Sequence, residues 1–348
     1  MRANLGAGLL LVATTLVGLS VAPAQAGTGC VAPDTAWVGP TTEGGSASWH
    51  ESTNWSAGVP TATSVVCVPV VAAGPQVPVG APAEAGTVTL EGTLTVAGDL
   101  AVSTLEGDAG ELRGPGTTTV SGSIFGDQLA LADNAEVDLH DATLGGELHV
   151  RESSRLNVRG DAALQPGAEV DSLGGLFTVT QAGSLTLDGD SFADADIVGG
   201  FANHGEVRVL AGSLTMMGAE EGGPGQFSDG RFIGAPGALL DLSHTELRDG
   251  AHLGGVTVDN VTVPKGDAVT VAASYMLNGH QDETAPSIHG EGELVLTDGT
   301  VVDGPRFGDS LTVTVPAGEV VTMGYSSLLD RARLQVFGEL LQEDGLSI

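Results

Sequence analysis

Asp194 and Asp196 are the residues whose types and spacing come nearest to acid–base chemistry in this chain. Side chains two positions apart on a strand point to the same face of a sheet. Two carboxylates that flank a scissile bond are the minimum for glycoside hydrolysis. A solvent-exposed corner of the chain explains the same pair without any chemistry. We therefore interpret the two aspartates as surface residues and expect no catalytic role for them.

Two further groups of polar residues have types suited to binding a metal ion or abstracting a proton. Residues 138–141 bring two aspartates and a histidine together, and Arg151, Arg155 and Arg159 follow at intervals of four. Lyase chemistry would need carboxylates that hold Ca²⁺ beside such an arginine base. In a strand-rich chain, arginines four apart fall at different corners, and a surface turn accounts for residues 138–141. We expect no metal site here.

Three histidines lie in short motifs that partly resemble the active-site sequences of polygalacturonase-like enzymes. The motifs are Asn203-His-Gly205, Asn278-Gly-His280 and Ile288-His-Gly290. Those enzymes combine a G-H-G with an N-T-D, a D-D pair and an R-x-K, and this chain has neither an Asp-Asp pair nor an Arg-x-Lys. Gly222-Gly-Pro-Gly-Gln226 partly resembles the calcium-binding nonapeptide G-G-x-G-x-D, but Gln226 and Phe227 depart from it and Asp229 comes too late. We expect no catalytic residue and no cofactor, with Ca²⁺ on part of the carboxylates as the alternative.

The charge of the chain is strongly acidic. Aspartate and glutamate number 44 against 12 lysines and arginines, which gives a net charge of −32, and Lys265 is the only lysine. Such a surface repels phosphates and anionic lipid headgroups. Nucleic acid and membranes are therefore excluded as expected partners, and we interpret the charge as a solvated surface that keeps the protein soluble.

The N-terminus has the pattern of an export signal. Arg2 is followed by a nearly continuous apolar or small stretch over residues 5–21 and then by Ala24-Gln-Ala26, an A-x-A cleavage sequence. This order is typical of a secretory signal peptide rather than of a membrane anchor. We predict cleavage after Ala26, so that residues 1–26 are removed and the mature protein is secreted and extracellular.

The only two cysteines of the chain, Cys30 and Cys67, are predicted to form a disulfide. An even number of cysteines in an oxidising compartment favours pairing. Two cysteines without a histidine at ligand spacing make a poor zinc site. The bond would close a loop of 37 residues, for which loop entropy gives about 3–4 kcal/mol of stabilisation.

The segment 27–85 contains both cysteines and all three tryptophans, Trp37, Trp49 and Trp55. The order Trp37-Val-Gly, Gly44-Gly-Ser-Ala-Ser-Trp49 and Thr53-Asn-Trp55-Ser-Ala-Gly-Val-Pro60 resembles the G-x-W…x-N-W-x-x-G-x-P pattern that opens secreted bacterial parallel β-helix and autotransporter-passenger proteins, which are adhesin-like or have a pectin-lyase-like fold. The resemblance implies that these residues cap the first coil, where an apolar face and unpaired strand edges need a cover. A sugar-stacking platform is the alternative role for the tryptophans.

The rest of the chain repeats one strand pattern. The sequence Ala-Gly-Ser-Leu-Thr begins at Ala182 and again at Ala211, 29 residues apart, and short alternating runs separated by glycine continue on both sides. Glycine accounts for 53 residues, as tight corners require. The pattern predicts an all-β protein, a right-handed parallel β-helix over residues 86–348 with about 20–25 residues per coil. Packed β-sandwiches are the alternative.

These observations favour a secreted, non-enzymatic structural or adhesin-like protein that presents a repetitive acidic surface. Its expected partners are polysaccharide or other cell-surface components. Two alternatives stay open, namely a carbohydrate-active lyase or hydrolase with an unusual site, and a stalk or shell fragment of a larger exported adhesin or toxin.

Overall fold

The structure is a computed structural model of the chain. The predicted signal peptide, residues 222–225 of the glycine motif and His280 lie outside the residues that it describes. It describes residues 30–39, 47–71, 74–78, 80–189, 194–218, 226–272, 275–278 and 287–342.

Nearly all of the described chain is β-structure that winds into a solenoid. The strands pair in parallel with the strands of the next coil, and their registers fall into three ladders, which we call faces A, B and C. The solenoid has about 12 turns. The all-β parallel β-helix predicted from the sequence is therefore confirmed.

Face A begins at the N-terminal end and has the largest number of described strands. It contains β1 (Thr35–Ala36), β2 (Val65–Val68), β4 (Ala83–Leu90), β6 (Asp99–Gly107), β8 (Thr117–Ala132), β10 (Ala142–Val150), β12 (Asp161–Leu164), β14 (Ser184–Asp188), β16 (Glu206–Ala211), β19 (Arg231–Gly234), β22 (His252–Gly254), β25 (Ala268–Val271), β28 (Glu293–Leu296), β31 (Thr312–Val315) and β34 (Arg333–Val336).

Face B follows face A in each coil. The later parts of the long strands β8 and β10 belong to it. Its other strands are β3 (Gln76–Val77), β5 (Thr93–Val96), β7 (Glu111–Arg113), β13 (Glu169–Val179), β15 (Asp194–Asn203), β17 (Ser213–Met217), β20 (Leu239–Ser243), β23 (Val256–Asp259), β26 (Tyr275–Asn278), β29 (Val301–Asp303), β32 (Val320–Gly324) and β35 (Glu339–Gln342).

Face C completes the coil. It takes the first parts of β4, β6 and β8 and the last parts of β13 and β15. Its own strands are β9 (Glu136–Leu139), β11 (Arg155–Val158), β18 (Gln226–Ser228), β21 (Thr245–Leu247), β24 (Val261–Val263), β27 (Ile288–Gly290), β30 (Arg306–Phe307) and β33 (Ser327–Leu328). The described part contains one short 3₁₀ turn, Ser52–Asn54, and no helix long and apolar enough to span a membrane.

The core is a stack of aliphatic side chains, one above another in successive coils. On face A the register aligns Val66, Val88, Leu105, Ile124 and Leu144, and all five are fully buried. The period-2 pattern sends these residues inward and the intervening threonines outward. Each buried aliphatic side chain contributes roughly 1.5–3 kcal/mol, so the coils stabilise one another through contacts with their neighbours.

The two copies of Ala-Gly-Ser-Leu-Thr occupy different faces of the solenoid. Leu185 lies in β14 on face A, whereas Leu214 lies in β17 on face B. Leu185 is in register with Val207, and Leu214 is in register with Ala195 and Leu240. The copies are therefore separated by one coil plus one face. The same strand-and-corner sequence serves both faces because each face needs only an inward leucine and an outward threonine.

The segment that contains the tryptophans lies at the N-terminal end of the described solenoid. The predicted Cys30–Cys67 disulfide is present, with 5.7 Å between the Cα atoms. Trp37, Trp49 and Trp55 are all at least 96% buried. Trp55 contacts the other two edge-on, at ring-centroid distances of 5.1 and 4.8 Å, and its indole N–H donates to the Trp49 carbonyl at 2.7 Å. Rings packed in this way leave no exposed aromatic surface for stacking a sugar.

Candidate functional site

A row of acidic side chains runs along the outside of face B across successive coils. The register aligns Asp127 with Glu147, Glu147 with Glu169, and Glu169 with Asp196, and it continues through Thr215 to Asp241. Strands of a sheet are about 4.8 Å apart, so neighbouring carboxylates are held at close spacing by the backbone. We call these five acidic residues the acidic row.

The acidic row includes one half of the Asp194–Asp196 pair. Both aspartates are exposed on β15, and the buried Ala195 lies between them, as the alternation of a strand requires. Each aspartate belongs to a separate outward row, because Asp194 is in register with Ser213 and Asp196 with Thr215.

A histidine bridges the acidic row to the adjacent row on face B. The His149 ring places Nε2 3.2 Å from Glu147 and Nδ1 3.4 Å from Asp171. Within the described chain no group of three or more histidine, cysteine or acidic residues has the geometry to hold a metal ion. The acidic row is thus a line of separate charges rather than a coordination cage.

Asp241 lies at one end of the acidic row, and its side chain is partly buried. Its Oδ1 is buried and has no hydrogen-bond partner among the described residues. Burial, and to a lesser extent the negative charge of Asp259, raises the pKa of the Asp241 carboxyl above its usual value of 3.8. Both causes disfavour the charged form, so ionisation of Asp241 costs the folded state free energy.

The three arginines spaced by four in sequence have three separate environments. Arg151 lies 3.3 Å from Glu111, and Arg159 lies 2.5 Å from Asp138 and 3.3 Å from Glu136. The hydrogen bond with Asp138 is the main cause that raises the pKa of Arg159.

Asp138 belongs to this ion-pair network on face C. Its Oδ1 accepts a hydrogen bond from the Asn157 amide at 2.9 Å. Asp138 is therefore engaged by cationic and amide donors of the next coil.

Arg155 faces a groove on face C with a volume of about 660 Å³. Its other wall includes Phe227 and Arg248, whose guanidinium carbon lies 4.1 Å from the centre of the Phe227 ring. Arg248 is held there by Glu246, with Nε 2.8 Å from the carboxylate oxygen. The groove thus joins two cationic groups to an aromatic surface.

The histidines of the G-H-G-like motifs lie on face C but in different coils. His204 Nδ1 is 2.8 Å from Asp229, and its ring packs edge-on against Phe227 at 5.6 Å. His289 Nδ1 is 3.1 Å from Asp309, while its Nε2 is 2.9 Å from the Asn260 side chain. Each histidine is oriented by its own carboxylate, and the structure does not bring the two rings together into one site.

No pattern in the sequence indicated the groove around Phe227 and Arg248. Outward residues of consecutive coils can be identified as neighbours only when the lengths of the corners are known, and those lengths vary along the chain. The aromatic–arginine contact joins β18 to the end of β21, whose residues align through the pair Phe227 and Glu246. No known protein family, curated protein or solved structure matches this chain.

Proposed function

We propose that this protein is a secreted, non-enzymatic structural or adhesin-like β-solenoid whose repetitive acidic surface makes extracellular or cell-surface contacts. The observation that carries the proposal is the acidic row, in which Asp127, Glu147, Glu169 and Asp196 occupy consecutive coils in register. A solenoid can repeat one surface feature at constant spacing over its whole length, which suits contact with a polymer or a cell surface.

The spacing of the acidic row supports a cationic partner. Carboxylates about 4.8 Å apart lie within the Debye length of about 8 Å at physiological salt, so their potentials add. A partner with regularly spaced positive charges, such as an amine-bearing polysaccharide, meets several carboxylates at once. The net charge of −32 attracts the same partner at longer range.

Two features support the extracellular setting. The N-terminal sequence has the order of a signal peptide, and the Cys30–Cys67 disulfide is a bond that persists in oxidising compartments. A carbohydrate partner fits the same location, because cell walls and matrices present polysaccharides to secreted proteins.

Binding to immobilised chitosan, measured by surface plasmon resonance at several salt concentrations, tests the proposal. The test variant combines Asp127→Asn, Glu169→Gln and Asp196→Asn, three exposed positions of the acidic row. We expect at least a roughly 5-fold loss of affinity at low salt and a shallower salt dependence, because about three close-range charge contacts are removed.

The control variant removes the same number of charges outside the acidic row. Glu84→Gln, Asp99→Asn and Asp330→Asn are at exposed positions in other rows and should reduce affinity by less than about 2-fold, since only long-range attraction changes. Equal losses in the two variants would contradict a function of the row itself. Turnover of any polysaccharide by the purified protein would contradict the non-enzymatic part of the proposal.

A further inference from the structure

The groove on face C is lined by two arginines, Arg155 and Arg248. No described residue forms an ion pair or side-chain hydrogen bond with Arg155. Its register neighbour Glu136 directs Oε1 to Asn157 at 3.1 Å and to Arg159 at 3.3 Å instead. Arg155 therefore has its planar guanidinium available toward the groove, and a guanidinium binds carboxylates through two parallel hydrogen bonds.

A buried amide adds a second donor to the groove lining. The Gln226 side chain is only 2% exposed, and its Oε1 accepts a hydrogen bond from Thr245 at 2.7 Å. Its Nε2 has no hydrogen-bond partner among the described residues. Buried donors in folded proteins are nearly always satisfied, and Gln226 lines the groove, so this donor points to an acceptor that the described residues do not supply.

The local charge of the groove is opposite to that of the protein. Two arginines, Arg155 and Arg248, and one acidic residue, Glu246, line it, whereas the whole chain carries −32. Arg248 is held between the Phe227 ring and Glu246, which fixes its guanidinium before any ligand arrives. Arg248 is therefore already paired, and Arg155 is the cation of the groove that can receive a ligand carboxylate.

The remaining lining residues are suited to a hydroxylated ring. Next to Arg155, Ser153 provides a hydroxyl, Leu176 in the adjoining coil provides apolar surface, and Gly174 has no side chain to fill the space. The volume of about 660 Å³ lies in the range of small-ligand sites. Hydroxyls on the ligand edge and carbons on its face would meet matching groups.

We propose that this groove binds a single sugar-acid unit, either free or at the end of a neutral glycan, with its carboxylate on Arg155. A polymer with a carboxylate on every unit is not the ligand, because the acidic surface that surrounds the groove repels repeated negative charge. The proposal concerns face C and does not depend on the acidic row of face B, so each can fail without the other.

Isothermal titration calorimetry of the full mature chain with D-glucuronate, methyl β-D-glucuronide and D-glucose tests this proposal. Glucuronate should bind with a millimolar Kd and glucose at least about 10-fold more weakly, because glucose lacks the charged acceptor. Binding of the methyl glucuronide with similar affinity identifies a terminal unit as the source, and binding of free glucuronate alone identifies the free acid.

Variants connect the binding to the groove. Arg155→Gln should weaken glucuronate at least about 10-fold, as expected for loss of a charge-assisted contact, and should leave glucose unchanged. Arg333→Gln, at an exposed position near the C-terminal end, removes the same charge elsewhere and should leave both affinities unchanged. Unchanged thermal unfolding of both variants separates binding from folding.

Three results would overturn the proposal. Equal affinities for glucuronate and glucose would show that the groove does not select a carboxylate. Equal effects of Arg155→Gln and Arg333→Gln would show that the charge acts at a distance rather than by contact. Tighter binding per sugar unit of a polyuronate than of the methyl glucuronide would show that the ligand is a polymer rather than a single unit.

Discussion

At the scale of single residues, the outward positions differ in how well their charge is accommodated. Glu111 accepts ion pairs from Arg151 and Arg113, and Asp138 accepts them from Arg159. Asp241 has an orphaned oxygen instead. A solenoid fixes the neighbours of each side chain through the register, so an acidic residue without a cationic neighbour in the adjoining coil cannot move to one.

Replacing Asp241 by asparagine should stabilise the protein at neutral pH. The raised pKa of Asp241 means that the folded state keeps this proton at a higher pH than the unfolded state. Stability is therefore lost as the pH rises from the ordinary value of 3.8 through the raised value. Asp241→Asn removes this loss. The expected gain in the free energy of unfolding is at most about 1 kcal/mol, because water partly screens the half-buried side chain.

Thermal unfolding of the wild type and the variant at pH 3 and pH 7.5 measures the effect. The melting temperature of Asp241→Asn should exceed that of the wild type at pH 7.5, and the difference should vanish at pH 3. Asp196→Asn, at an exposed position in the same row, is the control and should change little at either pH. A lower melting temperature for Asp241→Asn at pH 7.5 would show that the ionised carboxylate makes a favourable contact.

At the scale of strands and corners, the sequence was sufficient to predict that the elements are strands but not on which face of the solenoid each strand lies. Alternation placed Leu185 and Leu214 inside, and both are fully buried. It could not show that they lie on different faces, since corner length decides the face and corners have no periodic signal. The same limit hid the groove, because Arg155 and Phe227 lie three coils apart and line one groove only through the register of the coils between them.

The corner glycines are required for two separable reasons, which a pair of variants distinguishes. Gly146 has a φ of 70°, and a Cβ there would collide with the backbone oxygen of Gly126 in the previous coil. Gly167 has a similar φ of 78° but open space around the Cβ position. Gly167→Ala should destabilise by about 1 kcal/mol through backbone strain alone, and Gly146→Ala by more than about 2 kcal/mol.

Urea unfolding of the two alanine variants, followed by circular dichroism, tests this difference. A smaller loss of unfolding free energy in Gly146→Ala than in Gly167→Ala would mean that neighbouring coils can separate to admit a methyl group. That result would contradict a rigid spacing of the coils, on which the regular spacing of the acidic row also depends.

At the scale of the whole molecule, the solenoid behaves as a stack in which each coil contacts only its neighbours. The tryptophan segment lies at one end of the described stack, and in it β1 pairs with β2 through Ala36 and Cys67. The Trp37 amide also donates to the Cys67 carbonyl at 2.9 Å. The disulfide therefore fixes the first strand to the second at the point where the stack begins.

Reduction of the Cys30–Cys67 bond should loosen this end while the middle of the stack stays folded. Loop entropy assigns the bond about 3–4 kcal/mol, and nearest-neighbour coupling confines the loss to the coils next to it. In hydrogen exchange, amides of Val65–Val68 should lose protection under reductant, whereas those of Glu206–Ala211 should keep theirs. A Cys30→Ser, Cys67→Ser variant should show the same pattern without reductant. Uniform loss along the chain would mean that the solenoid unfolds as one cooperative unit, and unchanged protection at Val65–Val68 would mean that the buried tryptophans hold the end without the bond.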